Sequence, residues 1–202
     1  MIAIVDYGVG NLFSLSGSLE FLGLESEVTA DPEKIRAAQQ VILPGVGAFG
    51  DAMHRLEQTG LVPVLCEEAQ KKPLLGICLG MQLLFESSSE YGVHKGLGLV
   101  PGHVEPLDRE IAGMGLKVPH MGWNRLDICK DDPLLQYLRQ GEYVYYVHSF
   151  YAKDCADYTL ATSEYGIPVT GIVRNGKVYG TQFHPEKSGK TGLNLLRAFA
   201  AL

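Results

Sequence analysis

Pro73-Leu74-Leu75-Gly76-Ile77-Cys78-Leu79-Gly80-Met81-Gln82-Leu83-Leu84-Phe85-Glu86 is the stretch on which the reading of this chain turns. Pro73 to Ile77 has the character of a buried strand, and it passes directly into a helical pattern over Met81 to Glu86. Glycines stand two residues before and two residues after Cys78. A sharp strand-to-helix elbow requires that spacing, because the turn strains the central residue and larger flanking side chains would collide. Such an elbow presents the sulfur at the carboxyl edge of a sheet, where ligands bind in open α/β folds. It also sets Cys78 at a helix N-terminus, whose partial positive charge favours a thiolate. The N–H of Leu79 is then free to donate to an oxyanion. Taken alone, the same residues also fit a buried cysteine in a Gly-rich turn that packs helix on strand, so the motif needs a base.

Upstream of the elbow, strand and helix signals alternate. Ile2 to Val5 reads as a strand, and Leu12, Leu15, Leu19 and Leu22 recur at helical spacing. Val28 belongs to a short second strand, and Asp31-Pro32-Glu33 is a helix start with Asp as cap and Pro at the first helical position. Val41 to Leu43 is a third strand, closed by Pro44-Gly45, and Met53, Leu56, Val64 and Leu65 fit helices. This alternation predicts an α/β, flavodoxin-like fold: a mostly parallel central sheet with helices on both faces. Downstream the character changes. Gly and Pro are frequent from Gly92 to Gly122, Tyr143 to Val147 is an aromatic strand, and Ile172 to Tyr179 reads as a hairpin turning at Asn175-Gly176. A closing helix carries Leu193, Leu196 and Phe199. The C-terminal half therefore adds a smaller antiparallel extension. With no linker, repeat or low-complexity tract, residues 1–202 are expected to form a single domain.

Composition excludes several classes of function. The chain has 202 residues, 46% apolar and 20% charged, with net charge -6, and no Lys/Arg block suggests a nucleic-acid partner. No apolar run approaches the length of a membrane span. The start, Met1 to Asp6, lacks a basic region and a cleavage pattern, so a cytoplasmic protein is expected. Of the four cysteines, Cys66, Cys78, Cys129 and Cys155, none forms a CxxC pair, and no histidines show helical ligand spacing. Neither a metal nor an organic cofactor is expected. His148, at the end of the aromatic strand, faces either a site or an interface, or neither.

His184-Pro185-Glu186 supplies a base and its orienter. On extended backbone, residues two apart project to one side, and Pro185 stiffens the segment. The Glu186 carboxylate can then hold one imidazole nitrogen of His184 while the other faces a thiol, the logic of a nucleophile-base-acid triad. By itself the tripeptide reads more readily as an exposed turn with a capping Glu, but paired with the Cys78 elbow it gains a role. Pro44-Gly45-Val46-Gly47-Ala48-Phe49-Gly50 offers close-approaching backbone amides. No Lys-Ser/Thr follows, which disfavours a phosphate loop. A second oxyanion donor at Val46 or Gly47 fits better, a plain turn being the alternative.

Together the PGVG loop, the GICLGMQLLFE elbow and the terminal FHPEKS resemble the class I (triad-type) glutamine amidotransferases. DYGVGNL at 6–12, GVGAFGDAM at 45–53, PHMGWN at 119–124 and YVHSFY at 146–151 narrow the resemblance to the glutaminase subunits of imidazole glycerol phosphate synthases. The resemblance runs from Ile2 to the terminal helix and implies catalytic Cys78, His184 and Glu186, with oxyanion donors at Val46, Gly47 and Leu79. It also implies that Gly47, Gln82, Glu90, Ser149 and Phe150 line the site for L-glutamine. Asn11, Trp123 and Lys187 would face a separate (β/α)8-barrel cyclase subunit, which receives ammonia in histidine biosynthesis. The competing expectations are a glutaminase serving another synthase, a free-standing cysteine hydrolase, and a binding module with a decayed site.

Overall fold

A computed structural model describes residues 1–202. The N-terminal half alternates β1 (Ile2–Val5), α1 (Leu12–Phe21), β2 (Ser26–Thr29), α2 (Pro32–Ala37), β3 (Gln40–Leu43), α3 (Phe49–Gln58), α4 (Leu61–Glu68), β4 (Leu74–Ile77) and α5 (Leu79–Leu83). Asp31 caps α2 by accepting from the Glu33 N–H at 2.9 Å. The C-terminal half carries β5 (Phe85–Ser88), β6 (His94–Lys95), β7 (Val100–Pro106), α6 (Leu107–Glu110), β8 (His120–Arg125), β9 (Asp127–Ile128), β10 (Tyr143–His148), β11 (Phe150–Lys153), β12 (Thr159–Glu164), β13 (Pro168–Asn175), β14 (Val178–Thr181) and α7 (Gly189–Ala200).

The central sheet has eight strands in the order β2-β1-β3-β4-β14-β13-β12-β9. The pairs from β2 to β14 are parallel, and those from β14 to β9 are antiparallel. Its strands are apolar on both sides because both sides are covered. Ala3, Val5, Val41 and Leu43 pack with Ile35, Met53, Leu56 and Leu65 of α2, α3 and α4. The alternate residues Ile2, Ile4, Ile42 and Leu75 pack with Leu15 and Leu19 of α1 and with Leu195, Leu196 and Phe199 of α7. The flavodoxin-like arrangement expected from the alternation is what forms. No helix is long and apolar enough to cross a membrane.

Three local expectations need correction. The helix after the elbow ends at Leu83, and Phe85 starts a strand. The carbonyls of Leu83, Leu84 and Phe85, which a longer helix would use, accept instead from the N–H groups of Leu97, Leu99, Val100 and Gly98. The hairpin turns at Gly176-Lys177, because Asn175 pairs with Val178 and donates its side-chain amide to Leu99 O at 2.9 Å. Gly176 takes the positive φ, +60°, that this two-residue turn needs. In α7 Leu195 is buried together with the expected Leu196 and Phe199, while Leu193 is only half-buried. The smaller antiparallel extension forms as expected in the β8–β10 ribbon and in the β11–β7 and β5–β6 pairs, with one parallel pair, β5–β7, inside it.

Candidate active site

The elbow is strained at its tip. Cys78 has φ +54° and ψ -111°, a region that non-glycine residues seldom occupy. Its N–H bonds Thr181 O at 2.7 Å and its C=O accepts from Gln82 N at 3.1 Å, so both sides of the tip are tied down. The flanking glycines are sterically required: a Cβ on Gly76 would lie 2.6 Å from Gly80 O, and one on Gly80 would lie 1.9 Å from Leu43 O. The Leu79 N–H opens α5 and has no backbone partner. α5 is only five residues long, so its dipole adds little beyond that N–H.

Parallel pairing of β14 with β4 sets Thr181 opposite Ile77, which delivers the following residues to the elbow. His184 Nδ1 lies 2.8 Å from Glu186 Oε1, and both side chains are buried. Extended backbone does not make this pair, as the sequence reading supposed. Pro185–Lys187 is a 3-10 turn, and Ser188 Oγ donates to His184 O at 2.7 Å to hold it. His184 Nε2 is buried without a hydrogen-bond partner, and His184 and Cys78 line the same cavity. Burial pushes the imidazole down, but the neighbouring Cys78 and Glu186 outweigh burial and hold it up to about 9.

The cavity has a volume of about 340 Å³. Cys78, His184, Val46, Gly47, Leu79, Gln82, Glu90, Ser149 and Phe150 all line it, so the expected oxyanion and glutamine-site residues converge. Gly47 carries φ +102° on an exposed loop tip. Gln82 Nε2 donates to Phe150 O at 2.9 Å, and Glu90 Oε2 accepts from Phe49 N at 2.7 Å. Burial pushes the Glu90 carboxyl up, and the Phe49 hydrogen bond opposes it. Lys187 reaches the same cavity. Asn11 lies behind the triad, sharing a small cleft with His184 and Glu186, while Trp123 is 53% exposed beside Gly189 and packs edge-on against Tyr145. Asn11 and Trp123 flank the 185–189 turn, which itself carries Lys187.

Sequence reasoning missed Gln182 and left the place of His148 open. Gln182, fully buried, places Nε2 3.8 Å from the Cys78 sulfur. His148 borders the cavity and is joined to His120 at 2.9 Å and to Phe150 O at 2.8 Å. The only local hints were that Gln182 lies two residues before His184 and that His148 precedes Ser149.

A strained cysteine elbow, a His-Glu pair and a shared cavity on a doubly covered sheet define a class of enzyme. The family model "Glutamine amidotransferase class-I" matches residues 3–201, and the chain belongs to that family. Within it the chain falls among the glutaminase subunits of imidazole glycerol phosphate synthase: it is 52% identical over 200 residues to "Imidazole glycerol phosphate synthase subunit HisH" of Listeria monocytogenes serotype 4a (strain HCC23), covering 98% of this chain and 94% of that one. The HisH of Geobacillus sp. (strain WCH70) is 51% identical, covering 100% of this chain and 97% of that one. Among solved structures, a "glutamine amidotransferase" aligns with TM-score 0.76 at 20% identity, covering 100% of both chains. PurLQS from Thermotoga maritima aligns with TM-score 0.75 at 20% identity, covering 99% of this chain and 97% of that one; at such identity these two show the fold.

Proposed function

We propose that residues 1–202 act as one glutaminase domain, in the cytoplasm, that supplies ammonia to a separate (β/α)8-barrel cyclase subunit of imidazole glycerol phosphate synthase. The observation that carries this reading is the convergence of Cys78 and His184 on one cavity of amino-acid size, with Glu186 holding His184 from outside it.

His184 takes the thiol proton of Cys78, and the sulfur attacks the side-chain amide carbon of glutamine. Leu79 N–H and an amide at Val46 or Gly47 hold the tetrahedral oxygen. Glu186 keeps the imidazole ring oriented and keeps the proton on it until it passes to the departing nitrogen, since an amide nitrogen leaves only when protonated. Ammonia departs and a glutamyl thioester remains. Water, deprotonated by His184, then releases glutamate and restores the thiol. Gln82, Glu90, Ser149 and Phe150 shape the pocket around the substrate. Asn11, Trp123 and Lys187 meet the partner beside the triad, so ammonia passes directly to the second active site before it picks up a proton from bulk water.

Co-purification with the cyclase subunit, followed by glutamine hydrolysis assayed with and without that partner, tests the reading. A stable pair whose glutaminase rate exceeds that of the free chain is expected. A chain that ignores the cyclase and hydrolyses larger amides would instead be a free-standing hydrolase.

A further inference from the structure

A chain of buried amides ends on the nucleophile. The carbonyl of Phe150 can only accept, so Gln82, 2.9 Å away, must present its NH2 to it. The same nitrogen lies 3.1 Å from Gln182 Oε1 and gives its second N–H there. That fixes the Gln182 amide, whose own Nε2 then faces the Cys78 sulfur at 3.8 Å. The opposite orientation would set NH2 against NH2 between the two glutamines and an oxygen against the sulfur. Gln182 is fully buried and its backbone N–H is anchored to Gly171 O at 2.9 Å, so the side chain has little freedom to turn away. Besides His184, Val147 O lies 3.9 Å from the sulfur; it can accept S–H but offers nothing to a sulfur that has lost its proton.

We propose that Gln182 is a further residue of the glutaminase machinery, an N–H donor that holds the Cys78 sulfur and stabilises it once its proton has passed to His184. The inference rests on Cys78 being the nucleophile of glutamine hydrolysis. Gln82 and Phe150 act through Gln182: they set which end of its amide meets the sulfur. A donor to a charged acceptor is worth more than a neutral one, and its effect falls on the reacting state more than on substrate binding.

Gln182→Glu is the discriminating variant. It keeps the shape and the acceptor that Gln82 needs, and it replaces the donor at the sulfur by an acceptor. In the complex with the cyclase, kcat for glutamine hydrolysis should fall roughly ten- to hundredfold with KM little changed. The deficit relative to wild type should narrow as pH is lowered and the new carboxyl gains a proton to donate. Gln182→Met, of similar volume, should show the same loss without recovery at low pH. Alkylation of Cys78 by iodoacetamide, followed on the Cys78 peptide by mass spectrometry, needs neither partner nor glutamine. It should slow by a similar factor in both variants, which separates this inference from the proposed reaction. Alkylation at the wild-type rate in both variants, or a change confined to KM, would overturn the proposal and leave Gln182 as a support for Gln82.

Discussion

Two buried histidines border one cavity and have opposite electrostatic fates. His184 stands on the elbow side, with a carboxylate on one nitrogen and a thiol near the other, and its imidazole is held up to about 9 against the pull of burial. His148 stands on the β8–β10 ribbon, between a second histidine and the Phe150 carbonyl, and burial first, then the charge of His120, pushes it down to about 3. Burial disfavours the cation at both positions, so the neighbours decide the outcome. The elbow side can store and deliver a proton at neutral pH. The ribbon side is a neutral strut that fixes the wall at Ser149 and Phe150. Its outer surface carries the exposed Trp123 and Met121.

The sharpest way to break this contrast is to remove each histidine in turn. His184→Ala should lower glutamine turnover in the complex roughly 10³- to 10⁴-fold, because proton transfer in both directions is lost. His148→Gln can still donate towards Phe150 O, and it should leave kcat within about threefold while raising the KM for glutamine. Equal losses of kcat in both variants would erase the distinction. On the outer face of the ribbon, Trp123→Ala should weaken association with the cyclase about ten- to thirtyfold. Because Trp123 is half exposed, the free chain should lose no more than about 1 kcal/mol of stability, measured by urea denaturation. A large loss of stability with unchanged association would place Trp123 in the core instead.

A smaller effect sharpens the comparison further. The raised His184 stabilises the fold below its ordinary value of 6.5, and that contribution is lost as pH rises towards 9. The depressed His148 stabilises the fold above 6.5, and its contribution is lost as pH falls towards 3. Stability should therefore crest near neutrality, with each limb sloping by up to about 1 kcal/mol per pH unit. Urea denaturation at several pH values should show a flatter acid limb in His148→Gln and a flatter alkaline limb in His184→Gln. Flattening of the wrong limb would reverse the assignments.

The same two regions differ in how much the sequence reveals. The elbow is local: Gly76, Cys78 and Gly80 lie within one turn, and the steric reason for each glycine can be argued from spacing alone. The central sheet was legible for a similar reason, since short apolar runs alternate with helical periodicity. The end of α5 was not, because what stops it is the 97–100 segment arriving from across the fold to take its carbonyls. The His184–Glu186 pairing was anticipated, but through extended backbone, whereas a 3-10 turn closed by Ser188 makes it. One strand of the ribbon was legible, but its pairing of His120 with His148 and the Gln182 contact were invisible for want of any local pattern. His120 meets His148 across 28 positions, and Gln182 meets Cys78 across 104. Pairs so far apart in sequence become readable only when the sheet has folded.

The central claim is that Cys78 cleaves glutamine for a partner whose own chemistry needs only ammonia. Cys78→Ala, assembled with the cyclase, measures it directly when imidazole glycerol phosphate formation is followed with glutamine and then with ammonium salts. The account predicts that glutamine-driven synthesis disappears while ammonium-driven synthesis continues at the wild-type rate. Glutamine-driven synthesis that survives the substitution, or loss of both activities in a folded and assembled complex, would contradict it.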